Sequence, residues 1–226
     1  MSTVLILGGG TGGVVAANVL RRALGNRHNI TLLNRREKFI YGASFPLLIV
    51  GKRKAHQLMR GLVGLGKKGI EFLKTEVKAV KPQEFRVQTD EGTLKYDYLV
   101  MSPGAEHHPE TVPGFQEIAY NVYDLQSNVY LSERLKKFRV GKIVIFISSL
   151  PIACPLAPYE ICFLIDDYFR RRGLREKTKI SFVTPELFPE PLAHPLIGEG
   201  MRKMLLERDI ELYTGARILF LDQDRG

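Results

Sequence analysis

The chain has 226 residues, of which 45% are hydrophobic and 25% charged, and its formal net charge is +9. This length is enough for one large or two small domains, each with its own core. No apolar stretch approaches the roughly twenty residues of a membrane-spanning helix, and the apolar start is too short for a signal peptide. We therefore expect a cytoplasmic protein or one bound peripherally to a membrane.

The basic residues are spread along the chain and are not concentrated in one tail. Most of them suit solvated helix faces, and the remainder could attract an anionic membrane surface or an acidic partner. Nucleic acid is not expected, because no recognised binding motif or basic tract with interleaved aromatic residues occurs. The two cysteines, Cys154 and Cys162, suggest neither a disulfide framework nor a four-ligand zinc site. No metal site is predicted.

The first predicted elements form a strand, a glycine-rich turn, a helix and a second strand. They cover residues 3–7, 8–13, 14–24 and 29–33. In a dinucleotide-binding unit, three glycines allow the tight bend, the approach of the backbone to pyrophosphate, and the contact of helix on strand. Gly8, Gly10 and Gly13 occupy these three places. The pattern predicts a diphosphate bound to free amides at the helix N-terminus, although packing alone can also produce such a turn.

Further strands complete the first predicted domain, residues 1–140. A loop at 35–46 carries three aromatic residues, and residues 70–94 alternate like a small hairpin or meander. The run 98–101 is predicted to be a buried parallel strand, closed by Ser102-Pro103-Gly104. This strand would return the chain to the first sheet.

The second predicted domain, residues 141–226, repeats the strand and helix alternation. Its elements are a buried strand at 142–147, a helix at 158–172, a strand at 179–183, a proline-rich loop at 185–195, a helix at 197–208, and short strands at 210–213 and 217–221. The turn at 148–153 contains no glycine, so a second pyrophosphate and a nicotinamide partner are disfavoured. The predicted fold class is α/β, with two Rossmann-like doubly wound units, a β-meander inserted in the first, and the second unit incomplete.

Cys154 stands between the strand and the helix of that second turn. The positive end of a helix dipole stabilises a thiolate, which is a good nucleophile. Pro158 suits a first helical turn and so places Cys154 in the loop before the helix. The alternative is a small buried thiol that fills a gap. Cys162 lies among apolar residues and is predicted to be part of the core.

Two further residues could carry protons. Glu160 lies six residues after Cys154 and could act as a general acid or base, or be only a carboxylate of the first helical turns. His194, in a proline-rich loop, could titrate near neutral pH or be simply exposed. The pair His107-His108 has no carboxylate or cysteine at ligand spacing and is weak evidence for a metal.

Four motifs together resemble a known family. They are the glycine fingerprint, the segment Lys-Phe-Ile-Tyr-Gly-Ala-Ser-Phe-Pro at 38–46, Ser-Pro-Gly at 102–104, and Cys-Pro-Leu-Ala-Pro-Tyr-Glu at 154–160. The chain resembles, over essentially its whole length, the sulfide:quinone oxidoreductases and the flavin subunit of flavocytochrome c sulfide dehydrogenase. Both belong to the pyridine nucleotide-disulfide oxidoreductase superfamily. The cysteine-containing segment, in place of a second glycine turn, points to this branch.

The resemblance implies FAD as cofactor and sulfide and quinone as substrates. It places cofactor contacts at Gly8, Gly10, Thr11, Gly12, Gly13, Asn34, Arg35, Ser44, Pro46, Val77, Ser102, Pro103 and Gly104. Asn34 stands where many relatives have a glutamate for the adenosine ribose. The resemblance also implies that Cys154 is one of the redox cysteines that take up sulfide sulfur, and that Glu160 and His194 are polar residues near the flavin and the sulfur path.

Several features of the family are missing from this sequence. A second redox cysteine, a second FAD segment and a membrane-docking region all belong to the C-terminal part of relatives, beyond the position of Gly226. We therefore expect either the N-terminal portion of a longer flavoprotein or a chain completed by a second polypeptide. A thiol that many relatives have soon after Pro113-Gly114-Phe115 is also missing.

Several alternatives remain open at this stage. A type II NADH dehydrogenase would need a glycine turn near residues 148–153. A nucleotide-binding or scaffolding module without catalysis would leave Cys154 inert. Cytochrome c could replace quinone as the electron acceptor, and a homo-oligomer is neither predicted nor excluded.

Overall fold

The computed structural model describes residues 1–189 and 194–222. The chain divides into two compact units. The first consists of Met1–Tyr41 and His56–Glu106, and the second of Gly42–Ala55 with the described residues from His107 onward. Each contains a parallel sheet, which confirms the predicted α/β class. The predicted domains, residues 1–140 and 141–226, stay a prediction.

The first unit is built on a parallel sheet. Its elements are β1 (Thr3–Leu7), α1 (Thr11–Leu24), β2 (Asn29–Asn34), β3 (Lys38–Ile40), β4 (Met59–Gly61), β5 (Glu71–Lys74), β6 (Val77–Lys81), β7 (Arg86–Thr89), β8 (Gly92–Lys95) and β9 (Tyr98–Met101). The parallel sheet has the order β5-β2-β1-β9, whereas β6-β7-β8 form an antiparallel meander and β3-β4 a two-stranded ribbon.

Both faces of the parallel sheet are covered. Alternate residues of β1 point to opposite sides and pack into different clusters. Val4 and Ile6 are buried in a cluster that includes Ala17 of α1. Leu5 and Leu7 are buried in a second cluster, which contains residues of the meander. Burial on both faces explains why the strand is an unbroken apolar run with no alternation of polar and apolar residues.

Three details of this unit differ from the sequence prediction. The strand at 98–101 was predicted to be buried, but Tyr98 and Met101 are 64% and 62% exposed because β9 is an edge strand that pairs only with β1 among the described strands. The predicted meander begins at Val77, since residues 71–74 join the parallel sheet as β5. The predicted loop at 35–46 contains the strand β3.

The second unit has a parallel sheet of order β10-β11-β12. Its elements are α2 (Phe45–Ile49), α3 (Phe115–Ile118), α4 (Leu125–Lys137), β10 (Gly141–Phe146), α5 (Leu156–Arg171), β11 (Thr178–Val183), α6 (Pro195–Glu207) and β12 (Ile210–Tyr213). Helix α5 buries one face, where Tyr159, Cys162, Ile165 and Phe169 recur at helical spacing. Helix α2 packs against α4 and α5.

Two predicted strands of this unit need correction. The strand near 142–147 is not fully buried, because β10 is an edge strand of the described sheet and Val144 is 44% exposed. The predicted strand at 217–221 has no ladder partner among the described residues. Leu221 N–H, at the end of this segment, donates to the Pro113 carbonyl, and Ala216 N–H, just before it, donates to the Thr184 carbonyl. The predicted loop at 185–195 includes residues 190–193, which lie outside the described residues.

A buried carboxylate ties the end of α5 to its neighbours. Asp166 is 0% exposed and accepts hydrogen bonds from Arg170 Nε at 2.8 Å, Arg175 Nε at 2.6 Å and Arg208 Nη1 at 2.9 Å. Burial alone would raise the pKa of Asp166, but the three guanidinium hydrogen bonds outweigh burial and hold the pKa below its ordinary value. Arg175 also donates to the carbonyl groups of Thr178, Arg208 and Asp209.

We expect Asp166→Asn to lower the free energy of unfolding by about 3 kcal/mol, because it leaves the buried Arg175 guanidinium, together with the half-exposed Arg170 and Arg208, without their anion. Urea denaturation measures the change. The adjacent Asp167 pairs with Arg171 and Lys52 at a more exposed site, so Asp167→Asn should cost less than about 1 kcal/mol. Equal costs for the two variants would contradict the central role of Asp166.

The same carboxylate predicts a pH dependence. Since the folded-state pKa of Asp166 is lowered, its contribution is present above the unfolded-state pKa, about 3.9, and is lost as pH falls through the folded value. The difference in unfolding free energy between the wild type and Asp166→Asn should therefore shrink below about pH 4. A constant difference down to pH 2 would contradict this assignment.

Candidate functional site

The turn between β1 and α1 packs so closely that two of its glycines admit no side chain. Gly8 has φ of +105°, and a Cβ there would lie 2.0 Å from the Ser102 carbonyl oxygen. A Cβ on Gly13 would lie 1.8 Å from the Gly8 carbonyl oxygen. These two glycines are thus required by the fold itself, whether or not a ligand binds.

Gly10 is different, because a Cβ there would meet no atom within 4 Å. Its φ of −79° is open to any residue. Gly10 caps α1 without a side-chain hydrogen bond, and the first turn of the helix contains no acidic residue. Val14 N–H, which donates to the Gly10 carbonyl, is the first amide with an acceptor at the start of the helix, so the amides at positions 11–13 have no intrahelical acceptor. This empty space before free amides fits the diphosphate of a dinucleotide.

Asn34, the last residue of β2, braces the glycine turn. Its Oδ1 accepts a hydrogen bond from Gly9 N–H at 2.9 Å, and its Nδ2 donates to the Arg36 carbonyl at 2.7 Å. Both ends of the amide are therefore occupied within the protein, and a ribose contact stays a prediction. The next residue, Arg35, forms an exposed ion pair with Glu106.

The Ser-Pro-Gly segment lies directly against the glycine turn. Ser102 N–H donates to the Leu7 carbonyl at 2.8 Å, and a Cβ on Gly12 would lie 2.4 Å from Ser102 Oγ. Pro103 follows, and Gly104 then turns the chain with φ of +79°. The structure thus brings residues 102–104 and the fingerprint together at the carboxyl ends of β1 and β9, the edge at which doubly wound sheets bind ligands.

Three other predicted cofactor residues belong to other elements of the chain. Val77 begins β6 and packs half-buried against the cluster of Leu5 and Leu7. Ser44 and Pro46 belong to the second unit, where Ser44 precedes α2 and Pro46 is buried in it. Cofactor contacts by these three residues stay predictions. Thr11 is exposed at the start of α1.

The two cysteines have opposite environments. Cys154 is an exposed free thiol in the loop before α5. Its carbonyl accepts hydrogen bonds from Tyr123 Oη at 3.0 Å and from Ala157 N–H at 3.3 Å. Cys162 is buried in the core, as predicted, and burial raises the pKa of its thiol far above the ordinary range. Only Cys154 is therefore available to reagents or substrates in the folded chain.

Glu160 and His194 stand near the starts of two helices of the second unit. Glu160 is exposed on α5, and His194 caps α6, where its Nδ1 accepts a hydrogen bond from Leu196 N–H at 3.3 Å. Helix α5 follows β10 and helix α6 follows β11, and these two strands are parallel. Cys154 and His194 therefore belong to segments that begin at the same edge of the sheet, the carboxyl edge. The roles of Glu160, His194 and Cys154 in catalysis stay predictions.

Sequence reasoning missed a buried carboxylate at this edge. Glu186 follows β11, and its Oε2 accepts hydrogen bonds from Tyr159 Oη at 2.5 Å and from Thr184 Oγ1 at 3.1 Å. An acidic residue just after the second strand of a doubly wound unit commonly binds the ribose of a dinucleotide, and that position was the available signal. Here the carboxylate is buried and bonded within the protein.

The histidine pair His107-His108 contacts an aromatic ring and a carboxylate. His107 stacks on Tyr123, with ring centroids 5.3 Å apart, and His108 Nδ1 lies 2.8 Å from Glu110 Oε1. In the part of the chain that the structure describes, no group of three or more histidine, cysteine or acidic side chains could hold a metal ion. Within residues 1–189 and 194–222, no helix is both long enough and apolar enough to cross a membrane.

Fold and glycine turn together define an α/β protein with Rossmann-like units of the dinucleotide-binding type. Residues 2–225 match the family described as pyridine nucleotide-disulphide oxidoreductase. The chain belongs to this family.

Three proteins illustrate which members of the family the chain is similar to. The chain is 30% identical, over 93% of its length, to the mitochondrial sulfide:quinone oxidoreductase of Dictyostelium discoideum, of which it covers 48%. The solved sulfide:quinone oxidoreductase of Aquifex aeolicus superposes with a TM-score of 0.87 at 26% identity, covering 98% of this chain and 53% of that one. An alternative NAD(P)H-ubiquinone oxidoreductase of Arabidopsis thaliana is 25% identical over 99% of the chain and is covered to 47%. The chain thus spans about half the length of these relatives.

We predict that a thiol reagent modifies one cysteine rapidly in the native chain and the second only after unfolding. Cys154 is exposed, whereas Cys162 is buried with its thiol held protonated. Alkylation followed by peptide mass spectrometry identifies the modified residue. Rapid native modification of Cys162, or protection of Cys154, would contradict this prediction.

Proposed function

We propose for this chain the function of an FAD-dependent oxidoreductase of the sulfide:quinone type. The single observation that carries the proposal is that the chain has different chemistry at its two strand–helix turns. The first turn has open space at Gly10, which we call the glycine cradle, and the second has an exposed thiol, Cys154. Its similarity to sulfide:quinone oxidoreductases along nearly the whole chain supports the same assignment.

Residues of the first unit would hold the cofactor. The amides of Gly10, Thr11 and Gly12 would bind the diphosphate, since they precede the first intrahelical bond, adjoin the open space at Gly10, and belong to a helix whose first turn contains no acidic residue. Asn34 would act indirectly, by fixing the Gly9 amide and so the shape of the turn. FAD supplies an acceptor for two electrons, which can pass on to quinone.

Residues of the second unit would handle sulfur and protons. In the proposed reaction, sulfide loses two electrons and two protons, quinone gains both to become quinol, and sulfur is left in the zero oxidation state. Cys154 would carry this sulfur because its thiol is exposed and nucleophilic chemistry requires access. Two groups could take up the protons: Glu160, six residues after Cys154 on α5, and His194, at the start of the next long helix.

The similarity to an NAD(P)H-ubiquinone oxidoreductase supports a second candidate, a type II NADH dehydrogenase. Two features of the second unit disfavour it. The turn at 148–153 contains no glycine, so the backbone cannot approach a second pyrophosphate closely. The carboxylate of Glu186, at the place for ribose recognition, already bonds to Tyr159 and Thr184.

We expect Gly10→Val to weaken FAD binding at least about tenfold, or 1.4 kcal/mol, because the side chain fills the cradle. The free energy of unfolding should change by less than about 1 kcal/mol, since a Cβ at Gly10 meets no protein atom. Fluorescence titration with FAD and urea denaturation measure the two quantities.

Gly61→Val is a matched control for this experiment. Gly61 also has an ordinary backbone conformation, with φ of −67°, and open space at its Cβ. This variant should bind FAD like the wild type. Equal FAD affinity in Gly10→Val and Gly61→Val would count against the cradle as the diphosphate site.

We expect the FAD-loaded chain to show visible flavin absorption that sulfide bleaches and NADH does not. Cys154→Ser should retain flavin but lose the response to sulfide, because it lacks the sulfur acceptor. Cys162→Ser serves as the cysteine control. Bleaching by NADH would favour the dehydrogenase, whereas a chain that stays colourless after addition of FAD would leave a nucleotide-binding module without catalysis.

A further inference from the structure

A long-range hydrogen bond reaches the backbone of Cys154. Tyr123 Oη donates to the Cys154 carbonyl at 3.0 Å, across a sequence separation of 31 residues. In the part of the chain that the structure describes, no hydrogen bond reaches the preceding loop residues 148–153. The Cys154 carbonyl, which also accepts from Ala157 N–H, is therefore the polar anchor of this loop, and Ile152 is an apolar one.

Tyr123 is itself held in a braced turn. Tyr123 N–H donates to Asn121 Oδ1 at 3.0 Å, and the neighbouring Val122 carbonyl accepts a hydrogen bond from Nδ2 of the buried Asn128 at 2.8 Å. Asp124 then caps α4 through its contact with Ser127 N–H. The Tyr123 ring is half-buried, and the turn that carries it is held by these hydrogen bonds. The position of the hydroxyl is therefore fixed.

The hydroxyl of Tyr123 stays protonated over the pH range of ordinary enzymes. Burial, and then repulsion from a charged Cys154 sulfur, raise the pKa of Tyr123 to about 12. The hydrogen bond to Cys154 relieves only part of this effect. Tyr123 is therefore a constant donor and not a titrating group at neutral pH.

We propose that Tyr123 is a positioning residue for Cys154, and that its hydroxyl fixes the backbone that presents the thiol at the carboxyl edge of the second sheet. The importance of this restraint for sulfur chemistry rests on the proposed function. Without the Tyr123 hydrogen bond, the thiol at the end of this loop would sample many positions. Nucleophilic attack and sulfur transfer require the thiol to be held in one position. The tether supplies that constraint while the thiol stays exposed.

Tyr123→Phe tests the proposal, because it keeps the ring and its packing and removes only the hydroxyl. The reporter is a trifluoromethyl ketone group attached to Cys154, which is the only exposed cysteine. Its fluorine-19 line width reports local mobility. Hydrogen exchange of the Ala157 amide, which bonds to the same carbonyl, is the second reporter. Tyr120→Phe, in the same segment, is the control variant.

We expect Tyr123→Phe to narrow the fluorine line and to speed exchange of the Ala157 amide about fivefold, as loss of one hydrogen bond implies. The melting temperature should hardly change. The same label on Val63→Cys, 70% exposed in the first unit, studied with Cys154→Ser, should report no difference. A purely structural role for Tyr123 would instead lower the melting temperature without this local signature.

An unchanged line width and unchanged exchange in Tyr123→Phe would overturn the tether. This outcome is separate from the fate of the proposed function, which depends on flavin bleaching and its loss in Cys154→Ser. A mobile thiol in Tyr123→Phe together with sulfide bleaching that does not depend on Cys154 would leave the tether intact and overturn the proposed function.

Discussion

The close contact between the first glycine turn and the segment after β9 is the constraint on which the candidate site depends. Gly8 and Gly13 bring backbone atoms to distances at which no Cβ fits, and Ser102 closes the turn from the neighbouring strand. This packing fixes the start of α1 and leaves its first amides facing open space at Gly10. The glycines thus have different tasks: two of them build the turn, and one keeps a space empty.

The second unit uses the same alternation of strands and helices with a different chemistry at the equivalent turn. No glycine allows close approach there, and the carboxylate after β11 is enclosed by Tyr159 and Thr184. An exposed thiol, held through its carbonyl by Tyr123, stands at the start of α5 instead. One architecture therefore presents the amides of a helix N-terminus in one unit and an exposed sulfur atom in the other.

Local patterns in the sequence were sufficient for the parallel strands other than β5, for the glycine turn and for the burial of Cys162. Edge positions were not predictable, because the exposure of Tyr98 and Val144 depends on which strands pair. Contacts between distant segments, such as Asp166 with Arg208 or Tyr123 with Cys154, leave no periodic signal. Helix α4 was missed although Asp124 is a recognisable capping residue, since the helix that follows is strongly polar.

The most direct test of the central claim follows backbone amide resonances during titration of the isotope-labelled chain with FAD. If the start of α1 holds the diphosphate, the amides of Gly10, Thr11 and Gly12 should show the largest shifts, whereas that of Gly61 should stay unchanged. Binding of FAD that leaves these three amides unshifted would contradict the account.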